Sequence, residues 1–123
     1  MDYLLVFVGG GIGSMLRLAV GTVFARSIGT AWPYGTLTIN VTGSFIIAFF
    51  LTLAGERWGL SQAWRYFVAT GFVGGYKTFS TFEYETLRLV ETGAWGGAVA
   101  YVTASVALGF GAAVTGVALG RRF

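Results

Sequence analysis

The 123-residue chain has no cysteine, no histidine and a single proline. Without cysteine there is no disulfide and no thiol chemistry. Without cysteine or histidine, nucleophile–base pairs and most metal sites cannot be built from their usual side chains, so a membrane enzyme is the least favoured class. Charge is also scarce, at 11% of residues against 55% hydrophobic. The eight basic and five acidic residues leave a net charge of +3, and they are scattered, so no nucleic-acid patch is indicated. That sign is compatible with an anion pathway. No basic stretch precedes the apolar residues that begin at Tyr3, and Arg17 interrupts them, so the amino end reads as a mature first helix rather than a targeting peptide. No repeat of fixed period is present.

What is abundant is apolar surface and glycine, with 20 glycines in the chain. A bilayer-spanning helix needs about 20 mostly apolar residues. The length therefore predicts one transmembrane domain over 1–123 with four spans, at about 2–25, 33–53, 63–89 and 95–119. Pro33 suits the first turn of the second span, Trp58 and Trp64 suit the headgroup level, and Thr92-Gly93-Ala94 make a turn. The pairs Gly9 and Gly13, and Gly116 and Gly120, have the spacing of close helix contacts and predict surfaces for self-association. With four spans, Arg57, Arg65, Arg121 and Arg122 share one side and Arg26 and Arg88 the other, a small bias toward a cytoplasmic amino terminus.

The third span is unusual. Residues 71–82, from Gly71 through Gly74, Gly75, Lys77 and Thr78 to Phe82, interrupt it with glycines, a lysine and hydroxyls. In hydrocarbon a backbone loosens only where it is buried in protein or lines a cavity, so this segment predicts a helix broken near its middle at a pathway wall. Asn40, with Thr36 one turn before it, gives the second span a polar stripe that serves either as interhelical glue or as donors to an anion. Phe79 and Phe82 flank Ser80 and Thr81. Aromatic rings turned edge-on offer an anion a positive rim without a hydrogen bond, and hydroxyls between them supply donors. Arg17 and Glu85 are ionisable groups in or near the membrane, with functional and structural readings both open. Tyr101 and Ser105, at i and i+4 on the fourth span, suit the same route or interhelical bonds.

Several of these residues together resemble the Fluc, or CrcB, family of fluoride channels. The motifs are Gly9-Gly10-Gly11-Ile12-Gly13 with Arg17, Gly35-Thr36-Leu37 with Asn40 and Gly43, and Gly71-Phe72-Val73-Gly74-Gly75 followed by Thr78-Phe79-Ser80-Thr81-Phe82. They cover the first three spans, and the fourth matches only in character. The resemblance implies an antiparallel, dual-topology homodimer in the cell (inner) membrane, with two fluoride pores. It implies passive export that protects the cell from fluoride entering as the neutral acid. By position, Asn40, Phe79 and Phe82 would line the pores with Ser80 and Thr81 as hydroxyl donors. It also implies a structural sodium ion on the dimer axis, held by backbone carbonyls that map to Gly74 and Lys77.

Lys77 stands where the family usually has threonine. Its ammonium would either take the place of the sodium ion or turn toward a vestibule and attract anions. Two other functions compete. A small multidrug-type cation transporter of dual topology needs a membrane-embedded carboxylate in the first span, where this chain has Arg17. A nontransporting assembly subunit would use the polar stripe only as glue.

Overall fold

The structure, a computed structural model, describes residues 2–29, 32–77 and 79–123, with the side chains of all of them except Arg57. Thr78 of the third-span motif and the Arg57 side chain lie outside the described residues.

The described chain is helical. Helix α1 is Asp2–Ser27 and α2 is Tyr34–Thr52, prolonged by a π turn over Leu53–Arg57. The third helical path, α3, opens at Gln62–Arg65, widens to π geometry over Tyr66–Val73 and closes at Gly74–Tyr76. Helix α4 is Phe79–Glu91 and α5 is Trp95–Gly120. Among the described residues, three helices are long and apolar enough to cross a membrane: α1, α2 with its extension to Glu56, and α5. The remaining path is α3 and α4, neither of which spans by itself. Lys77 separates them with an extended backbone, φ −92° and ψ 150°, which places the expected break at that residue.

Local chemistry sets the ends. Glycines in the left-handed region stop two helices, Gly29 at φ 97° after α1 and Gly93 at φ 83° after α4. At the second, the Ala94 N–H bonds the Leu89 carbonyl at 2.8 Å and the Gly93 N–H bonds that of Val90 at 3.0 Å, the paired closure of a glycine-stopped helix. Pro33 lies just outside α2 rather than in its first turn.

Two tight helix pairs make the body: α1 lies along α3, and α2 lies along α5. The glycines that spell close contact are spent inside these pairs. A Cβ on Gly9 would strike the Phe67 carbonyl, one on Gly13 the Phe72 carbonyl and one on Gly75 the Gly10 carbonyl. Gly116 and Gly120 meet the α2 backbone and Thr52 in the same way. The expectation that these pairs supply the surface for self-association is therefore corrected: small residues let backbones of one chain approach each other. Gly11 and Gly21 face open space instead.

Few large side chains are buried. Leu89, Ala98 and Tyr101 form a core with Trp32, Leu37, Phe82 and Val90 packed on it, where α4 meets α2 and α5. Ile39, Val73 and Tyr76 are buried as well, but many apolar residues point outward; Phe7 and Met15 on α1 are 77% and 73% exposed, and Phe110 on α5 is 72% exposed. Such surface suits lipid or another apolar protein surface, not water. Trp58, Trp64 and Trp95 are exposed at helix ends, where indole favours the headgroup layer. An exposed ion pair from Arg121 to Glu56, at 3.1 Å, lies where the end of α5 meets the extension of α2.

The break is held from α1. Helix α3 ends at Tyr76, so its last carbonyls lack partners within the helix. The Arg17 Nε–H donates to the Gly75 carbonyl at 3.1 Å, and the Ser14 hydroxyl approaches the same oxygen at 3.5 Å. Arg17 thus caps a carbonyl at the open end of α3.

Two outcomes follow for stability in detergent. Gly13→Ala forces α1 off α3 and lowers stability by about 1–3 kcal/mol, a cost typical of overpacking, whereas Gly11→Ala meets open space and, alanine being the better helix former, does not lower the melting temperature. Arg17→Met strands the Gly75 carbonyl and costs about 1–3 kcal/mol. Thermal unfolding followed by size-exclusion recovery measures both.

Candidate permeation site

Helix α2 carries polar groups at one-turn intervals: Thr36, Asn40 and Ser44. Because i and i+4 positions on a helix share a face, the three form one stripe. Three clefts border it in succession. The first, of 100 Å³, is lined by Gly29, Trp32, Pro33, Thr36 and Glu85 among others. The second, of 520 Å³, lies between α1 and α2, with Ser14, Arg17, Thr36, Asn40 and Thr81 on its wall. The third, of 260 Å³, is lined by Asn40, Ser44, Lys77, Phe79, Phe82, Ser105 and Val106. Thr36 is common to the first two clefts and Asn40 to the last two, so the stripe joins them.

The break assembles the third cleft. Because the backbone leaves the helix at Lys77 and re-enters it at Phe79, the first turn of α4 is set against α2 and α5. Phe79 is 70% exposed and Phe82 is half-buried, with ring centroids 5.8 Å apart and planes at 39°. Phe82 rests against the Tyr101 ring at 5.0 Å, which fixes its tilt. Lys77 is half-buried, and its Nζ donates to the Ser44 hydroxyl at 3.0 Å. Its side chain thus lies on the wall of the third cleft.

The remaining sequence-derived residues divide. Asn40, Phe79, Phe82 and Ser105 meet in the third cleft, while Thr36 and Thr81 lie in the second. Ser80 is exposed and lines none of the three. Tyr101 is fully buried; its hydroxyl donates to Glu85 Oε1 at 3.1 Å, an interhelical bond, and its ring packs on Phe82. Glu85 reaches the first cleft beside Trp32, whose indole N–H donates to the Gly97 carbonyl at 3.0 Å. Gly74 is exposed at the end of α3, just before the break. Ser44, one turn beyond Asn40, extends the stripe that Thr36 and Asn40 begin.

Comparison with known proteins places this arrangement. Residues 4–117 match the family described as CrcB-like protein, Camphor Resistance (CrcB). A protein named fluoride-specific ion channel FluC from Acidobacterium capsulatum is 48% identical over 122 residues, covering 99% of this chain and 98% of that one. Another of that name from Nitrobacter winogradskyi is 46% identical over 118 residues, 96% of this chain and 94% of the other. A third, from a Sulfurihydrogenibium species, is 44% identical over 119 residues, 97% and 96% of the two chains. With near-complete coverage at this identity, the chain belongs to the CrcB-like family.

Proposed function

We propose that this protein is a fluoride-selective ion channel, not an enzyme, and that it gives passive fluoride export and resistance to fluoride toxicity. The observation that carries the proposal is the stripe of Thr36, Asn40 and Ser44 joining three clefts, with Phe79 and Phe82 at the last of them. An anion leaving water needs replacement donors, and these must hold it weakly enough for release. Asn40 supplies amide N–H groups at the junction of two clefts. Phe79 and Phe82 supply positive ring edges, which attract an anion without trapping it. Thr36, Thr81 and Ser105 supply hydroxyls. Glycine-close packing and the Arg17 bond to the Gly75 carbonyl hold the broken backbone in place beside the route.

The unit is a single transmembrane domain, multi-pass in the cell (inner) membrane, that works as an antiparallel homodimer of dual topology with two pores. Exposure of Phe79 on one wall of the third cleft supports a second copy as the opposite wall. A single chain of four crossings also has little interior in which to hide a continuous polar route. The balance of basic residues at the helix ends is close enough to even for insertion in both orientations.

The structural sodium ion belongs to this proposal. Among the described residues no cluster of acidic side chains could hold a metal, so a cation here would rely on carbonyl oxygens, which suit a hard ion. Gly74 is exposed at the start of the last turn of α3 and Lys77 follows that turn with an extended backbone, so their carbonyls fit that role, and the Lys77 ammonium is engaged by Ser44. When bound, the ion would tie the two breaks together; the anion route is formed by the side chains of this chain.

Liposomes holding the purified protein test the function. The expected result is rapid fluoride efflux with chloride retained, and loss of fluoride efflux by at least about tenfold in Phe79→Ile and Asn40→Asp, the second because a carboxylate repels the ion. Folded, dimeric protein that releases no fluoride contradicts the proposal.

A further inference from the structure

Lys77 reaches the third cleft by a path shaped to admit it. Its stem passes over Gly43, where any Cβ would collide with Lys77 Cγ and Cδ, and its Nζ stops 3.0 Å from the Ser44 hydroxyl. An ammonium has three protons to donate. Ser44 receives one, and the residues lining the cleft include no carboxylate to receive another. Ser44, acting as acceptor here, keeps its own proton to give elsewhere. From α5, Ser105 lines the same cleft; its Oγ is buried and has no hydrogen-bond partner among the described residues. A buried hydroxyl left unpaired is costly, so one in a built site calls for a partner. Every polar side chain named in this cleft has a proton to donate. Such an arrangement is satisfied by an acceptor that carries negative charge.

We infer that Lys77, Ser44 and Ser105, with the Asn40 amide, form an anion-binding station for a small halide, in which the Lys77 ammonium supplies the attraction. The inference rests on the channel reading for which halide matters, fluoride, and adds a bound state to the route. Attraction between an ion and a fixed cation in a partly desolvated cleft is several times stronger than in water. The Ser44 bond limits the trap, because it holds the ammonium to one side and shares its charge with a hydroxyl. Lys77 is thus an affinity-determining residue for the anion, at a position where relatives with threonine would lack the cation.

Calorimetric titration of the detergent-solubilised dimer with sodium fluoride, at constant sodium so that the structural ion stays in place, reads this directly. Wild type is expected to show saturable binding. Lys77→Met is expected to weaken it about tenfold or more, Lys77→Arg to retain it within a few-fold, and Ser105→Ala to weaken it by less than Lys77→Met. If Lys77→Met does not elute as folded dimer, Ser44→Ala and Ser105→Ala carry the test, each expected to weaken binding. Unchanged affinity in the folded variants, or no saturable binding by wild type, overturns the inference. Flux is scored separately: saturable binding lost in Lys77→Met without liposome flux in wild type would keep the station and sink the channel, and flux with binding indifferent to Lys77 would do the reverse.

Discussion

The fold turns on the bond between the Arg17 guanidinium and the Gly75 carbonyl. A helix broken inside a hydrophobic layer exposes backbone groups that lipid cannot satisfy, so the break at Lys77 persists only if protein meets them. Arg17 does so from the neighbouring helix, and it is brought within reach because Gly9, Gly10 and Gly13 let α1 lie directly on the backbone of α3. The same contact solvates Arg17, a charge that would itself be costly in hydrocarbon. Two expensive features thus cancel: an arginine in a membrane span and an interrupted helix.

From that break the site follows. Release of the backbone at Lys77 lets α4 begin at Phe79, with Phe79 and Phe82 turned toward the polar stripe of α2. The stripe is held in place by the α2–α5 pair, where Gly116 and Gly120 close against Phe45, Phe49 and Thr52. Tyr101 then braces both sides, with its hydroxyl on Glu85 and its ring on Phe82. The donors therefore stand on a frame whose rigidity comes from backbone-level contact. Exposed ion pairs such as Arg121 with Glu56 add little to it.

Much of this was legible in sequence. The spans beginning at Asp2 and Trp95 and the one after Pro33 could be read from unbroken apolar length, a signal that needs no tertiary information. The break was legible because Gly74, Gly75 and Lys77 cannot serve a lipid-facing helix. Asn40, Phe79 and Phe82 could be placed because polar or paired aromatic groups in a span demand an explanation. What failed to show was pairing. Spacing says that Gly9 and Gly13 admit a close neighbour, yet it does not say whether the neighbour is another copy or the chain itself, and here it is α3. Ser80 looked equivalent to Thr81, but the start of α4 turns only Thr81 into a cleft. Tyr101 and Ser105 shared a face by spacing, and partners separate them: the Tyr101 hydroxyl bonds Glu85, whereas Ser105 lies at the third cleft. The π geometry of Tyr66–Val73 left no sequence signal beyond the glycine that permits it.

Because the chain has no cysteine, a single introduced thiol reports one position without background. The most direct test of the central claim, that the cleft behind the break is the ion route, compares Ser105→Cys with Met15→Cys in fluoride-loaded liposomes treated with a charged, water-soluble thiol reagent. Ser105 lines the third cleft, whereas Met15 is an exposed apolar position on α1. The account predicts that the cysteine at 105 is modified and that fluoride efflux then stops, while the one at 15 stays shielded and efflux continues. Modification at 105 with efflux unchanged, or equal inertness at both positions while fluoride still flows, would contradict it.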